Sequence, residues 1–165
     1  MRKEELRKKY RTIRKDISNK DYKDSIIYTK VINNTYVLKS DIVLIYVSNK
    51  EEVDTINIIN YLLKTKKVAV PKIEDGIINF YFINSINDLK QGYFNILEPT
   101  TTKQVISYNN TVCITPGICF SHSKYRIGYG KGFCFFDALK EANVINITKN
   151  KTIQNNKIVY KYDDS

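Results

Sequence analysis

The sequence has little of the residues that build metal centres and disulfide frameworks. It contains no tryptophan, one histidine, and three cysteines at positions 113, 119 and 134. An odd cysteine count without Cys-x-x-Cys spacing argues against a disulfide framework, and the single histidine makes a zinc site improbable. Isoleucine 42 to valine 47 is the longest apolar run, too short to span a membrane. The charged N-terminus predicts no signal peptide, so the expected compartment is the cytoplasm.

Isoleucine, lysine and asparagine are abundant instead, with 24, 22 and 17 copies among 165 residues. The formal net charge is +10, which raises the question of nucleic-acid binding. Lysine outnumbers arginine 22 to 5, however, and phosphate and base recognition depends more on arginine. The codons of these three abundant residues are rich in A and T, so genome composition accounts for most of the charge. The charge therefore gives little support to the hypothesis that this is a basic RNA-binding protein.

Hydrophobic periodicity predicts one α/β domain over residues 1–165. The strand–helix–strand order between residues 41 and 73 indicates a parallel sheet. The predicted elements are helices over 1–17, 22–38, 53–64 and near 133–142, and strands over 41–47, 67–73 (ending near Pro71), 79–83 and 112–115, with weak strand patterns at 144–147 and 157–160.

A glycine-rich segment is the first candidate for chemistry. Four of the six glycines lie within 16 residues, and three of them are in the segment 126–132 (RIGYGKG). The segment follows a predicted strand and precedes a predicted helix, where backbone N–H groups can bind phosphate. Arg126 and Lys131 add positive charge. The spacing matches neither the dinucleotide fingerprint nor the P-loop, so a phosphate loop and a flexible turn both remain open.

Two further clusters have a functional and a structural interpretation. Lys3, Arg7 and Arg14 fall within about 40° of one another on the first helix, where they either face an anion or form a solvated surface. Glu52 and its acidic neighbours follow the first predicted strand. They either stabilise the N-terminus of the next helix or contact a ligand at the carboxyl end of a parallel strand.

Five segments in one order resemble a known family. They are KxxLR (3–7), YVSNKEEVDT (46–55), VAVPKI (68–73), FNILEP (94–99) and PGICFSHSKYRIGYGKG (116–132). Together they resemble the 5-formyltetrahydrofolate cyclo-ligase (5,10-methenyltetrahydrofolate synthetase) family over residues 1–137, with a divergent tail at 143–165. The resemblance implies a three-layer α/β fold with a central, mostly parallel sheet. It also implies conversion of 5-formyltetrahydrofolate (folinic acid) to 5,10-methenyltetrahydrofolate. This reaction consumes ATP, requires Mg²⁺, and releases ADP and phosphate.

The resemblance also implies site residues. The implied ATP-binding residues are Lys3, Arg7, Arg126, Ile127, Gly128, Tyr129, Gly130, Lys131, Gly132, Phe133 and Cys134. The implied folate-binding residues are Val47, Glu52, Tyr129, Gly130, Lys131, Gly132 and Phe133. Lys131 and Arg126 are the implied catalytic residues, since they would neutralise charge on the transferring phosphoryl group.

The sequence departs from the family at the residues after the glycine segment. The family usually has Tyr-Tyr-Asp there, with the aspartate holding Mg²⁺, whereas this chain has Phe133, Cys134 and Phe135. A two-residue insertion would place Asp137 in the metal-binding role, and otherwise Asp137 is a helix-surface acid. An active enzyme and a non-catalytic folate- or nucleotide-binding relative both remain open. The expected partners are ATP and a reduced folate, with no membrane or nucleic acid, and the expected state is a monomer.

Overall fold

The computed structural model describes residues 2–15, 18–92, 95–116, 119–120, 126–127, 143–148 and 158–161. Its helices are α1 (Lys3–Lys15), α2 (Lys20–Ile32), α3 (Thr35–Lys39) and α4 (Ile56–Leu62), with a 3₁₀ turn at Ile86–Asp88. Its strands are β1 (Ile42–Ile45), β2 (Lys67–Glu74), β3 (Ile77–Ile83), β4 (Leu89–Gln91), β5 (Leu97–Pro99), β6 (Thr111–Pro116), β7 (Cys119–Phe120), β8 (Arg126–Ile127), β9 (Asn143–Thr148) and β10 (Ile158–Lys161). Within these ranges, no helix has the length and apolar character needed to cross a bilayer.

Six of the strands form one sheet in the order β10-β9-β6-β1-β2-β3. Neighbouring strands from β10 to β2 run parallel, and β3 is antiparallel to β2. The predicted α/β fold with a central, mostly parallel sheet is therefore confirmed. The carboxyl ends of β1 and β6 lie at the same edge, because Val43 pairs with Val112 and Ile45 with Ile114.

The pleat of the central strands separates the core into two parts. Val43, Val68 and Val112 point to one face, where they pack with residues of α2, α3 and α4. Leu44 and Cys113 point to the opposite face, which is covered by the segment 100–110 through Val105 and Tyr108. Cys113 is fully buried, as expected for a small apolar residue of the core. Both faces of β1 are buried, which explains its uninterrupted apolar sequence.

The helix predicted over 22–38 is wrong as a single element. It is divided into α2 and α3 at Asn33 and Asn34. The Asn34 side chain accepts hydrogen bonds from the backbone N–H groups of Tyr36 and Val37, at 2.9 and 3.3 Å, and so starts a new helix. Asparagine is among the strongest N-cap residues, which explains the break at this position.

The predicted end of the second strand near Pro71 is also wrong. β2 continues through Pro71 to Glu74 and forms a hairpin with β3. β1 pairs with β2 only up to Ala69. Among the described residues, Pro71 therefore has a strand partner on one side only, in β3, and a strand tolerates proline at such an edge position. The turn residues Asp75 and Gly76 both have positive φ, 51° and 77°, as a type I′ hairpin turn requires.

The tail contributes two strands to the sheet. β9 pairs with β6 over residues 143–147, and β10 pairs with β9 over residues 158–161. The weak strand patterns at 144–147 and 157–160 are therefore confirmed as strands. The helix predicted near 133–142 lies outside the described residues.

Candidate active site

The loop between β1 and α4, residues 46–55, is held at the carboxyl edge of the sheet by buried hydrogen bonds. Thr55, which is fully buried, donates from Oγ1 to the carbonyl oxygen of Tyr46 at 2.8 Å. The same Oγ1 accepts the N–H of Ser48 at 2.9 Å, and the Ser48 hydroxyl accepts the N–H of Thr55 at 3.0 Å. The Tyr46 hydroxyl donates to the carbonyl of Val53 at 2.9 Å. These bonds join both ends of the loop and fix its shape.

Glu52 lies inside this loop and not on the following helix. Its residue surface is 7% exposed, and its Oε1 accepts the backbone N–H of Asn49 at 3.0 Å. The Asn49 side chain in turn accepts the N–H groups of Glu51 and Glu52, at 2.9 and 3.1 Å. The helix-start role belongs to Asp54, whose carboxylate accepts the N–H of Ile56 at 3.1 Å. The structure thus separates the two interpretations of the acidic cluster: Asp54 serves the helix, and Glu52 is a buried carboxylate in a fixed loop.

A cavity of about 1160 Å³ lies beside the loop, between α2, α4, Gln91 and residues 95–97. We call it the α2–α4 cavity. Val47, which follows β1 and is 5% exposed, lines it together with Ser48 and Asn49. Of the other predicted site residues with described side chains, Lys3, Arg7 and Glu52 do not line it. The predicted folate contact at Val47 therefore faces a cavity large enough for a ligand of drug size or more.

The cations predicted on the first helix lie in α1, and their contacts with ATP stay predictions. Lys3 is exposed. The Arg7 side chain is only 17% exposed and forms an ion pair with Glu4, whose side chain is 80% exposed. The aliphatic part of such an arginine is mostly buried, while its guanidinium group stays at the surface. Arg14 lies in the same helix.

Two short strands that precede the glycines pair with each other in antiparallel orientation. The backbone of Arg126 pairs with Phe120, and that of Ile127 with Cys119, in the two-stranded sheet β7–β8. The remaining predicted residues of the nucleotide segment lie outside the described residues: Gly128, Tyr129, Gly130, Lys131, Gly132, Phe133 and Cys134. Asp137, the predicted metal ligand, also lies outside them. Their roles stay predictions.

A metal centre is not formed by the described side chains. In the ranges given above, no group of three or more histidine, cysteine, aspartate or glutamate side chains is arranged to hold a metal ion. Glu52 and Asp54, two acids of the loop that follows β1, accept backbone hydrogen bonds. Both carboxylates therefore help to hold the loop and the start of α4 in place.

The α4 wall of the cavity was not predicted from the sequence. Its residues Asn57, Asn60, Tyr61 and Lys64 follow the spacing of one helix face and line the cavity. The opposite face carries Ile58, Ile59 and Leu62, which are buried. The signal was present in the sequence as a polar stripe opposite an apolar stripe, but a solvated helix face gives the same pattern.

Comparison with known proteins places the chain in a family. A model of the 5-formyltetrahydrofolate cyclo-ligase family matches residues 1–160, farther than the sequence resemblance over 1–137. A Caenorhabditis elegans protein described as a probable 5-formyltetrahydrofolate cyclo-ligase is 26% identical over 143 residues, which are 79% of this chain and 69% of the relative.

Two solved structures have the same fold. The 5,10-methenyltetrahydrofolate synthetase of Aquifex aeolicus superposes with a TM-score of 0.82 at 24% identity, covering 99% of this chain and 91% of the other. The 5,10-methenyltetrahydrofolate synthetase of Mycoplasma pneumoniae has a TM-score of 0.68 at 20% identity, with both chains fully covered. The family match over nearly the whole chain, on the fold these structures share, shows that the chain belongs to the 5-formyltetrahydrofolate cyclo-ligase family.

Proposed function

We propose that this protein converts 5-formyltetrahydrofolate to 5,10-methenyltetrahydrofolate in an ATP-dependent reaction that releases ADP and phosphate. The observation that carries the proposal is the family match over residues 1–160. The buried, hydrogen-bonded loop 46–55 supports it, because the loop holds Val47 against a cavity and fixes a carboxylate nearby. A cavity at the carboxyl end of a parallel sheet is the position at which α/β folds commonly bind small ligands.

The proposed reaction has two steps. The formyl oxygen attacks the γ-phosphorus of ATP, the bond to the bridging oxygen breaks, and ADP leaves. N10 of the folate then attacks the activated formyl carbon and releases its proton to the departing phosphate or to water, and phosphate leaves as the five-membered ring closes. The protein's share in such a reaction is mainly to position the two substrates and to stabilise charge on the phosphoryl group.

The chain's own residues have separate roles in this proposal. Val47 provides an apolar contact to the folate, and Glu52 accepts hydrogen bonds from N–H groups of the pterin. Lys3 and Arg7 hold ATP phosphates from α1, and Arg7 would exchange the exposed Glu4 carboxylate for a phosphate oxygen. Arg126 and Lys131 neutralise charge on the transferred group, and Mg²⁺ bound with ATP would add positive charge there, with Asp137 as its candidate ligand.

An absorbance assay tests the proposal directly. Purified protein with 5-formyltetrahydrofolate, ATP and Mg²⁺ should form the methenyl product, and omission of ATP should abolish its formation. A protein that forms no product, but whose melting temperature rises with ATP or folate, would be a non-catalytic relative and would contradict the proposal. Tight RNA binding that weakens steeply with salt, without any response to ATP or folate, would instead favour the RNA-binding hypothesis.

Two substitutions test the proposed roles of residues in the nucleotide segment. Lys131→Ala should lower turnover strongly if this lysine contacts the phosphoryl group, and unchanged turnover would remove it from the mechanism. Asp137→Asn should weaken the dependence of turnover on Mg²⁺ concentration. A variant with the same Mg²⁺ dependence as the wild type would show that Asp137 does not bind the metal, and would favour the alternative of a helix-surface acid.

A further inference from the structure

Asn49 and Glu52 are joined by hydrogen bonds that run in both directions. Oδ1 of the Asn49 side chain accepts the N–H of Glu52 at 3.1 Å, and Oε1 of Glu52 accepts the N–H of Asn49 at 3.0 Å. Oδ1 also accepts the N–H of Glu51 at 2.9 Å. This reciprocal pair has the arrangement of a capping box, with asparagine in the place of the usual serine or threonine. We call it the Asn49–Glu52 box.

A capping box normally satisfies the first N–H groups of a helix, but this one is not followed directly by a helix. Residues 50–52 form a turn, residues 53–55 have no regular secondary structure, and α4 begins only at Ile56. The start of α4 is served separately, because the Asp54 carboxylate accepts the N–H of Ile56 at 3.1 Å. The Asn49–Glu52 box therefore does something other than start a helix.

The box fixes the direction of the Glu52 side chain. The bonds of Thr55 with Tyr46 and Ser48 hold the two ends of the loop, and so determine the path of its backbone. They leave the side-chain torsions of Glu52 to be determined by other contacts. The bond from the Asn49 N–H to Oε1 is such a contact, and it anchors a carboxylate that is buried in the loop.

A carboxylate anchored in this way is prepared for a ligand. A carboxylate has about four acceptor positions, so one backbone bond orients the group without by itself using up its capacity to accept N–H groups of a ligand. Because the side chain is already ordered, it loses less rotamer freedom when a ligand binds, and this strengthens binding.

We propose that Asn49 is a positioning residue, which holds the Glu52 carboxylate in the orientation that accepts the N–H groups of the pterin. This inference rests on the proposed function, since it takes Glu52 to contact the folate. Asn49 acts through Glu52 and makes no contact of its own with the pterin. Its loss therefore lowers the affinity for the folate and leaves the phosphoryl-transfer step unchanged.

A double-mutant cycle tests this role. For 5-formyltetrahydrofolate, Asn49→Ala should raise KM roughly three- to tenfold, while kcat and the KM for ATP stay close to wild type. Asn49→Ser keeps an oxygen that can accept the Glu52 N–H, and should restore most of the loss. In a Glu52→Ala background, Asn49→Ala should change the KM for the folate little. An equal rise in both backgrounds would show that Asn49 does not act through Glu52, and would overturn the inference.

A matched control is Asn87→Ala. Asn87 is an exposed asparagine of the 3₁₀ turn, and it does not line the α2–α4 cavity. Its replacement should leave the KM for the folate at the wild-type value. A rise as large as that of Asn49→Ala would show that loss of a surface amide is enough, and would overturn the assignment to the box.

Calorimetry with 5-formyltetrahydrofolate in the absence of ATP separates this inference from the proposed function, and does not need the Glu52→Ala variant. Binding that is weakened in Asn49→Ala and restored in Asn49→Ser would support the positioning role even if the wild type had no turnover. In that case the proposed function alone would fail. Equal affinity of wild type and Asn49→Ala would overturn the role even in an active enzyme, and so would a wild type that does not bind the folate.

Discussion

Replacing Thr55 by valine should loosen the loop that carries Val47 and Glu52. Valine has nearly the shape of threonine but lacks the hydroxyl, so the substitution removes hydrogen bonds with little change in packing. The lost bonds are the one that Oγ1 donates to the Tyr46 carbonyl at 2.8 Å and the one it accepts from the Ser48 N–H at 2.9 Å. Both lie in buried or partly buried positions.

The size of the effect follows from those two bonds. Each buried polar group that loses its partner costs about 1–3 kcal/mol, and Ser48 is half-buried, so its N–H recovers part of this from water. We therefore expect Thr55→Val to lower the free energy of unfolding by about 2–4 kcal/mol. Thr55→Ser keeps the hydroxyl and loses one methyl group, and should cost about 1 kcal/mol.

Urea unfolding of the two variants, followed by circular dichroism, measures this difference. Steady-state kinetics add a second readout, because a loosened loop should raise the KM for the folate more in Thr55→Val than in Thr55→Ser. The KM for ATP should change less. A valine variant as stable as the serine variant would refute the account of how this loop is held, and so would an unchanged KM for the folate.

Two more predictions concern the stability of the fold. A methyl group on Gly92 would lie 2.1 Å from Cδ of the buried Glu98, so Gly92→Ala should lower the free energy of unfolding by about 1–3 kcal/mol. In a Glu98→Ala background this cost should largely vanish, and equal costs in both backgrounds would contradict the clash. At the β2–β3 hairpin, hydrogen bonds from the Tyr81 hydroxyl and the Asn79 amide lower the pKa of Glu74 below 4.5, and the bond to Glu74 raises the pKa of Tyr81 above 10.0. A carboxylate with a lowered pKa stabilises the fold only while ionised, and a tyrosine with a raised pKa only while protonated. The stability difference between wild type and Tyr81→Phe should therefore be present at pH 7, and should be lost as the pH falls through the folded-state pKa of Glu74 or rises through that of Tyr81. A difference that does not shrink in urea unfolding as the pH is lowered from 7 through the acid range in which Glu74 titrates would contradict this.

The central strands could be predicted from the sequence because burial on two faces leaves a continuous apolar run. Val43 and Leu44 point to opposite faces, and both are fully buried. The break between α2 and α3 could not be predicted with the same ease. The residues on either side of Asn34 continue a helical pattern, and the side chain acts as a cap only in the folded geometry. The end of the second strand was wrongly predicted near Pro71 for a related reason. Whether a strand can continue through a proline depends on where the neighbouring strand ends.

The candidate site was predicted in part. Charge and position picked out Glu52, but could not separate it from the helix-start acid Asp54, because both lie in one acidic cluster. The difference lies in which backbone N–H each carboxylate accepts, and this depends on the path of the loop. Tyr61 and Lys64 were missed because a polar helix face has the same sequence pattern whether it meets water or a ligand. The glycine segment remains a prediction from the sequence.

The stoichiometry of ATP use tests the central claim most directly. Product formation and ADP release should be measured in the same reaction with 5-formyltetrahydrofolate in excess. The proposed mechanism predicts one ADP and one phosphate for each 5,10-methenyltetrahydrofolate formed, and no ADP in the absence of the folate. Methenyl product without ADP release, or ATP hydrolysis without methenyl product, would contradict the account.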